Sequence, residues 1–400
     1  MSQDAYVLGG LRTPRGKGSA RGSLATVSPV RLLEGILRAL ADRVDVRGAT
    51  DVVVGCASQT GDQGANLART AALLADLGEG IAGVTVNRFC ASGLEAVNVA
   101  TARIRAGDGD LYVAGGVEST SRVPLFADGG PLFADPAVMA AVGSVHMGVS
   151  ADLVAALEGF TRDDLDAYAH ASRARARAAW ASGRAARSVV PVRSADGALL
   201  LAADELLGYA PTREDMALLP PAFAEPGASG QDAVALARYP RLGRIEHLHT
   251  RATSPSPADA AAVLAIGTRA RAEAIGARPR ARIVASSTRA VDPVTMLTAG
   301  QDAVVALLEK AGLRAADVAV FMFAEAFSAL CVRFGRDLDA GPDRLNPDGG
   351  SMVLGHAFGA TGAILALDVV DALEERGARY GVAAVSGAAG LGVATLFERV

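Results

Sequence analysis

Gly83-Val84-Thr85-Val86-Asn87-Arg88-Phe89-Cys90-Ala91-Ser92-Gly93-Leu94-Glu95-Ala96 is the stretch around which the rest of this sequence can be read. A short β-branched run stops at a cysteine and small residues follow. Leu94, Val97 and Ile104 then continue at helical spacing through Ala100. The pattern predicts strand, tight turn and helix, with Cys90 at the helix N-terminus. Unpaired N–H groups and the positive end of the helix dipole favour a thiolate there, so a thiol of lowered pKa is expected. A cysteine so placed is a candidate nucleophile for acyl transfer. The stretch alone fits a buried apolar cysteine equally well, because free cysteine is among the most buried residue types.

A chain of 400 residues is too long for one simple core, so two or three domains or a duplicated unit are expected. With 50% hydrophobic residues, 20% charged and 45 glycines, it can bury large cores and make many tight turns. Aromatic residues are only 4%, which leaves Ala, Val and Leu to build the interior. A net charge of −4 and a pI of about 5.8 give no reason to expect nucleic acid or an anionic membrane as partner. The arginines are scattered among Ala and Asp and form no patch. Cys56, Cys90 and Cys331 are odd in number and widely spaced, which argues against a disulfide framework and against a zinc site. The N-terminus runs straight into a strand without a basic region and long apolar core, and no run approaches the ~18 apolar residues of a membrane span. The expectation is a soluble cytoplasmic protein.

Outward from the cysteine, Ala5 to Leu8 reads as a strand and Arg12 to Gly18 as an exposed polar loop. Ser28-Pro29 opens a helix whose buried face is Leu32, Leu33, Ile36, Leu37 and Leu40. Val52 to Val54 is a strand, Asn66 to Leu77 a helix, and Asp110 to Gly116 a strand that ends in glycines. Such alternation with runs of Val predicts an α/β fold, a largely parallel sheet covered by helices. From about Val117 to Thr250 the alternation stops. One amphipathic helix stands out there, capped by Thr161 with Asp164 three residues on. This region reads as an inserted, loop-rich subdomain, the kind that carries substrate contacts. Alternation returns with strands at Ala260–Ile266, Ala281–Ser286, Asp317–Phe323 and a closing Gly381–Val385, and a helix at Ala303–Leu308.

The second half repeats the order of the first. Asp51–Val54 has its counterpart in Val318–Phe321, the turn at Cys90 in the turn at His356, and Ala114–Gly116 in Val385–Gly387. A duplicated unit would bring both helix N-termini to a shared interface. The domains expected are residues 1–117, an insertion over 118–250, and 251–400, whose first residues pack with the N-terminal half.

The downstream motif is Asn346-Pro347-Asp348-Gly349-Gly350-Ser351-Met352-Val353-Leu354-Gly355-His356-Ala357-Phe358-Gly359-Ala360-Thr361-Gly362. A histidine with glycines on both sides, at a turn opening into Ile364, Leu365 and Leu367, suits chemistry better than a satisfied structural position. A neutral imidazole there can take the proton of a thiol and later hold its N–H toward an oxyanion.

These residues carry a resemblance. The chain resembles the thiolase family of acyl-CoA acyltransferases along essentially its whole length. The supporting stretches are Asn87 to Gly93, Gly115-Gly116-Val117-Glu118-Ser119, His146-Met147-Gly148, Asn346 to Gly362 and Gly390-Leu391-Gly392-Val393-Ala394. The resemblance implies two βαβαβαββ halves around a five-layered α-β-α-β-α core with an inserted loop domain, assembled as homodimers or homotetramers. It implies that Cys90 takes the acyl group from a coenzyme A thioester, that His356 activates it, and that Ala388 supports the oxyanion. His146, Met147, Ala326, Phe327 and Ser254 would lie along the coenzyme A arm. No permanently bound cofactor is implied.

The sequence departs from the family pattern at two telling places. Where the family usually has a second cysteine that moves the α-carbon proton, this chain has Ser386. A thiol titrates near ~8.5 before tuning, whereas a serine hydroxyl is a poor base without a strong partner. Where the family usually has an asparagine holding a water for the enolate oxyanion, this chain has Ala324. Ala357 replaces a usual proline, and Thr253-Ser254-Pro255-Ser256 departs from the usual run at the coenzyme A site. The expectation is an acyltransferase that still loads Cys90 but hands the acyl group to an altered acceptor. The alternatives are a degenerate acyl-CoA-binding or scaffold subunit without turnover, and a thioesterase-like hydrolysis of the acyl-cysteine.

Overall fold

The computed structural model describes residues 3–400. The chain opens with β1 (Tyr6–Arg12), the short β2 (Gly16–Lys17), α1 (Pro29–Ala41), β3 (Asp51–Gly55), α2 (Leu67–Leu74), β4 (Ala82–Val86), α3 (Ser92–Ala106) and β5 (Leu111–Ser119). The central segment holds α4 (Pro131–Ala134), α5 (Pro136–Val142), α6 (Met147–Glu158), α7 (Arg162–Ala181), β6 (Val192–Arg193), β7 (Leu199–Leu201), α8 (Arg213–Ala217), α9 (Ala224–Pro226) and α10 (Asp232–Arg238). Alternation resumes with β8 (Ala258–Gly267), α11 (Arg269–Ala274), β9 (Ala281–Ala290), α12 (Ala299–Ala311) and β10 (Val320–Phe323). The chain ends with α13 (Ser328–Asp337), α14 (Ser351–Leu354), α15 (Phe358–Arg376), β11 (Tyr380–Gly387) and β12 (Leu391–Arg399).

The main sheet runs β10-β11-β12-β9-β1-β8-β5-β3-β4, and the ribbon β6-β7 stands apart from it. Only Tyr6↔Arg282 and Val7↔Ala281 join β1 to β9, so the sheet divides there into two halves. In one half β4, β3 and β5 are parallel and β8 and β1 antiparallel neighbours follow. In the other, β10 and β11 are parallel and β12 and β9 antiparallel neighbours follow. The place that β4 holds beside β3 is taken beside β10 by a single parallel bridge, Phe321↔Leu345. Order and direction match element for element, which is the duplicated unit expected from the sequence.

Strand residues alternate between two apolar layers, so both faces of each half-sheet are covered. Ala262, Leu264 and Ile266 of β8 face a core that includes α3 and α15, while Ala261, Val263 and Ala265 face α1 and α2. In the second half Ala383 and Val385 of β11 face that same central core, and Val382 and Ala384 face α12 and α13. The result is five layers, α-β-α-β-α, with α3 and α15 packed together in the middle. Two glycines set how closely they approach. A Cβ on Gly93 would sit 2.5 Å from the Gly359 carbonyl oxygen, and one on Gly362 would sit 2.4 Å from the Leu94 nitrogen. The two helices therefore meet backbone to backbone at their N-terminal turns, the turns that follow Cys90 and His356.

Four expectations are corrected. The sheet is mixed and not largely parallel, because β8 and β1 in one half and β12 and β9 in the other run antiparallel to their neighbours. The stretch Arg12 to Gly18 is not an exposed loop through its length, because Arg12, Thr13 and Arg15 are buried. Arg12 and Arg15 each reach a carboxylate oxygen of Asp204 at 2.8 Å, so a polar sequence is buried by mutual pairing. The helix expected over Asn66–Leu77 is shorter, because Asn66 caps it by accepting the Arg69 N–H and Leu74 ends it. The chain does not close at Gly381–Val385, since β12 returns antiparallel through the middle of the second half-sheet. Pro136–Glu158 is apolar enough by composition to cross a membrane, but Gly143 breaks it into two helices and half of it is buried in the protein.

Candidate active site

Strand β4 delivers the chain to a strained elbow. Phe89 has φ 49°, in the left-handed region that costs a bulky residue on the order of 1 kcal/mol or more. Local side chains hold it there. Asn87 accepts the Phe89 N–H at 2.8 Å and donates to the Ala57 carbonyl at 3.0 Å. The Ser92 hydroxyl accepts the Arg88 N–H at 2.8 Å and donates to the Phe89 carbonyl at 2.6 Å. Cys90 sits at the crest, 7% exposed, and α3 begins two residues later.

The thiol is not acidified. Burial pushes the Cys90 pKa up to about 12, and the nearby Glu118 carboxylate adds to the rise. The N–H groups of Cys90 itself and of Ala388 pull the other way without prevailing. The expectation of a lowered pKa is therefore overturned, for two physical reasons. Water has been removed, which disfavours the thiolate. The N–H groups of Ala91 and Ser92 are already bonded to the Arg88 and Phe89 carbonyls at 3.1 and 3.0 Å, so they have little to offer a sulfur.

Cys90 faces a cavity of about 30 Å³ shared with Ala388, Met147 and Phe358. Ala388 opens a tight turn in which the next residue, Ala389, has φ 58°. Phe358, the first residue of α15, packs its ring against the His356 imidazole at 4.6 Å between centroids. His356 is 3% exposed, and its Nδ1 lies 2.8 Å from the Thr361 hydroxyl. Its main chain is pinned on both sides, the N–H donating to Ser256 and the carbonyl accepting from Ala258. Burial and the Arg15 guanidinium hold its pKa down at about 4, so the imidazole is neutral near pH 7. Cys90 and His356 thus belong to neighbouring turns, one from each half, with Phe358 bordering both. Among the described residues no hydrogen bond joins the thiol to the imidazole.

Ser386 lies in β11, buried, with its hydroxyl committed elsewhere. It donates to the Leu297 carbonyl at 2.6 Å and accepts the Gly300 N–H at 3.1 Å at the start of α12. Ala324 is buried in the same central core as Cys90, and its methyl offers no donor. Ala326 and Phe327 pack with the outer core of the second half. His146 caps α6 by accepting the Gly148 N–H on Nδ1 at 3.0 Å, with Met147 beside it on the Cys90 cavity. Ser254 is buried, and its hydroxyl has no hydrogen-bond partner among the described residues.

Two groups were missed from the sequence. Phe223 packs against both His146 and Phe327, and His249 against Phe327, so aromatic rings run from α6 to α13. His249 is fixed between Asp152 at 2.7 Å and the Ala329 N–H at 3.3 Å. The other is Glu118. Its carboxylate is fully buried and accepts the N–H groups of Ala57, Ser58 and Gly359 and the Gln63 amide, at 2.6 to 3.2 Å. It ties β3, β5 and the first turn of α15 together beneath Cys90. A lone carboxylate in an apolar strand was the available signal.

Comparison with known proteins fixes the family. The thiolase N-terminal domain family profile matches residues 5–231, and the thiolase C-terminal domain profile residues 277–399. The chain belongs to the thiolase family. It is similar to the 3-oxoadipyl-CoA/3-oxo-5,6-dehydrosuberyl-CoA thiolase of Escherichia coli strain K12, at 35% identity with all of both chains covered. It is 32% identical to the 3-ketoacyl-CoA thiolase of Aeromonas hydrophila, again over the whole of both chains. The 3-ketoacyl-CoA thiolase of Colwellia psychrerythraea is 33% identical, with 98% of each chain covered. This thiolase is accordingly an acyltransferase that works on acyl-CoA.

Proposed function

We propose that Cys90 accepts the acyl group of an acyl-CoA with His356 as its base, and that the acceptor is not an α-carbanion generated by Ser386. The observation that carries this reading is the division of labour around one cavity. The Cys90 thiol and the Ala388 N–H meet there, while the Ser386 hydroxyl spends both its donor and its acceptor on Leu297 and Gly300.

With the thiol near 12 and the imidazole near 4, the resting pair is neutral. As a thioester carbonyl reaches the sulfur, the thiol proton passes to the free Nε2 and the sulfur electron pair attacks the carbonyl carbon. The N–H groups of Cys90 and Ala388 receive the oxyanion. The carbon–sulfur bond to coenzyme A breaks, and the leaving thiolate collects the proton from the imidazolium. Thr361 holds Nδ1 so that Nε2 faces the substrate. Apo hydrogen bonds of this kind commonly close only when substrate is present.

Ala324 removes a donor from the enolate side, and Ser386 cannot ionise without losing the hydrogen bond it donates to the Leu297 carbonyl and setting an alkoxide against that oxygen. The acceptor this supports is an amine, an alcohol, another thiol or a carbon nucleophile stabilised without a strong base. Ser254, His146 and the Ala326-Phe327 segment supply the wall for the coenzyme A arm, with residues 118–250 as the inserted domain over the two halves. The chemistry draws only on side chains and N–H groups of the chain. The edge strand β4, half-exposed along Gly83–Val86, suits pairing with a second copy, as a homodimer or homotetramer would use it.

Incubation with acetyl-CoA followed by intact mass measurement is the test. A mass gain of one acetyl group that disappears in Cys90→Ala supports the reading. No adduct from any acyl-CoA sinks it and leaves a binding or scaffold subunit. Free acid appearing without an acceptor makes the reaction hydrolysis.

A further inference from the structure

The walls of the Cys90 cavity are unlike the Ala- and Val-rich interior of the protein. Aromatic residues are 4% of the sequence, yet four phenylalanines border this one space. Phe126 and Phe133 come from the segment before α4 and from α4 itself, their rings tilted against each other at 4.3 Å between centroids, with Phe126 38% exposed on its outer side. Phe133 also meets Phe89, the residue before the nucleophile, edge to face at 6.0 Å. Phe358 closes the side next to His356. The volume left, about 30 Å³, accommodates about two water-sized groups. The single charged residue on the lining is Asp128, and no arginine, lysine or histidine faces it.

We propose that the acyl group held on Cys90 is short and uncharged. Phe126, Phe133 and Phe358 end the acyl subsite within a few atoms of the sulfur, and Asp128 turns away chains that finish in a carboxylate. The proposal rests on the acyl transfer to Cys90 put forward above and adds which acyl groups that site takes. An acetyl or propionyl group places one or two carbons beyond the carbonyl, which the space holds. A longer chain has to displace a phenyl ring from apolar packing. Asp128 is itself exposed, and a terminal carboxylate brought in beside it meets a like charge with no cation on the lining to offset it.

The experiment compares labelling rates of the full chain by acetyl-, propionyl-, pentanoyl-, octanoyl- and succinyl-CoA, read by intact mass with Cys90→Ala as background. Acetyl-CoA should label at least about tenfold faster than octanoyl-CoA, and pentanoyl-CoA about tenfold faster than succinyl-CoA. Phe133→Ala and, separately, Phe358→Ala should raise the octanoyl-to-acetyl ratio at least about tenfold, since removing a ring opens a cavity that apolar groups can fill. Asp128→Asn should raise the succinyl-to-pentanoyl ratio. Ratios taken within one preparation do not depend on the folded fraction. Octanoyl- or succinyl-CoA labelling the unaltered protein as fast as acetyl-CoA overturns this proposal and leaves the acyl transfer standing. Failure of every thioester, acetyl included, overturns the acyl transfer and this proposal with it.

Discussion

The Cys90 turn and the His356 turn occupy corresponding places in the two halves, yet they are built by different means. The first is a strained elbow held by the side chains of Asn87 and Ser92, with Phe89 in the left-handed region. The second is held by its main chain, through Ser256 and Ala258, with a glycine at φ 110° before the histidine. Burial acts on both and drives them to opposite ends of the scale, the acid up to about 12 and the base down to about 4. The difference teaches that this pair is not a ready-made thiolate–imidazolium couple. At pH 7 a thiol of pKa near 12 is ionised to only about one part in 10⁵, so the acyl transfer proposed for this pair requires proton transfer at the moment substrate arrives.

Removing the imidazole is the most severe way to break that comparison. His356→Ala should slow acetyl labelling of Cys90 by about 10³-fold, in the range that general-base catalysis supplies. The labelling rate of the unaltered protein should be flat between about pH 5 and 9. The imidazole gains a proton only as pH falls toward 4, and the thiol loses one only as pH rises toward 12. Stopped samples weighed across that range check both points. A sigmoid rise centred near pH 8.5 would mean an ordinary exposed thiol and no need of His356.

The second prediction sharpens the difference between the halves by repairing one of them. Ser386→Cys combined with Ala324→Asn should raise acetoacetyl-CoA thiolysis at least about tenfold, since a missing oxyanion donor alone typically costs about 10² or more. Thiolysis by the unaltered protein at the level of the repaired one would show that Ser386 already does the work of a thiol.

Glu118 links the loop after β3 to the first turn of α15 and lies near Cys90, and its replacement tests whether the two turns are coupled. Glu118→Gln keeps the shape but sets an NH₂ group against backbone N–H donors from Ala57, Ser58 or Gly359. A loss of about 2 kcal/mol in denaturant unfolding is expected from one buried donor facing another. The Cys90 pKa should fall once the neighbouring negative charge is gone, giving faster iodoacetamide alkylation at pH 9. Stability lost with no change in alkylation would uncouple Glu118 from the thiol.

Much of this was legible in the sequence, and the exceptions share a cause. The strand-turn-helix at Cys90, the glycine-flanked His356 and the duplicated order are local patterns, and local patterns survive in a single sequence. The thiol pKa was misread because a helix-dipole estimate uses position along the chain, whereas burial and Glu118 come from β5 and α15. Arg12 and Arg15 looked solvated because Asp204, which pairs with them, lies far along the chain. Phe126 and Phe133 sit in a stretch rich in proline and glycine that has no periodicity, so nothing marked them as the wall of the Cys90 cavity. The last strand, Leu391–Arg399, begins in a glycine-rich motif that reads as a loop until it pairs with β9 and β11.

The smallest effect concerns Ser386 in β11. Its hydroxyl bridges the Leu297 carbonyl and the Gly300 N–H, so it caps the start of α12 and fixes the end of β11 against it. Ser386→Ala leaves a buried N–H and a buried carbonyl each short of a partner, and a stability loss of about 1–2 kcal/mol follows from the cost of unpaired buried groups. The methyl replaces the hydroxyl without strain, so the deficit should appear in unfolding by denaturant and scarcely in the rate of Cys90 labelling. A hundredfold loss of labelling at unchanged stability would put this hydroxyl in the chemistry and reverse the contrast between the two turns. A loss confined to stability would leave Cys90 and His356 as the two groups through which the halves act on the acyl group, and Ser386 as the residue that holds the second half in register.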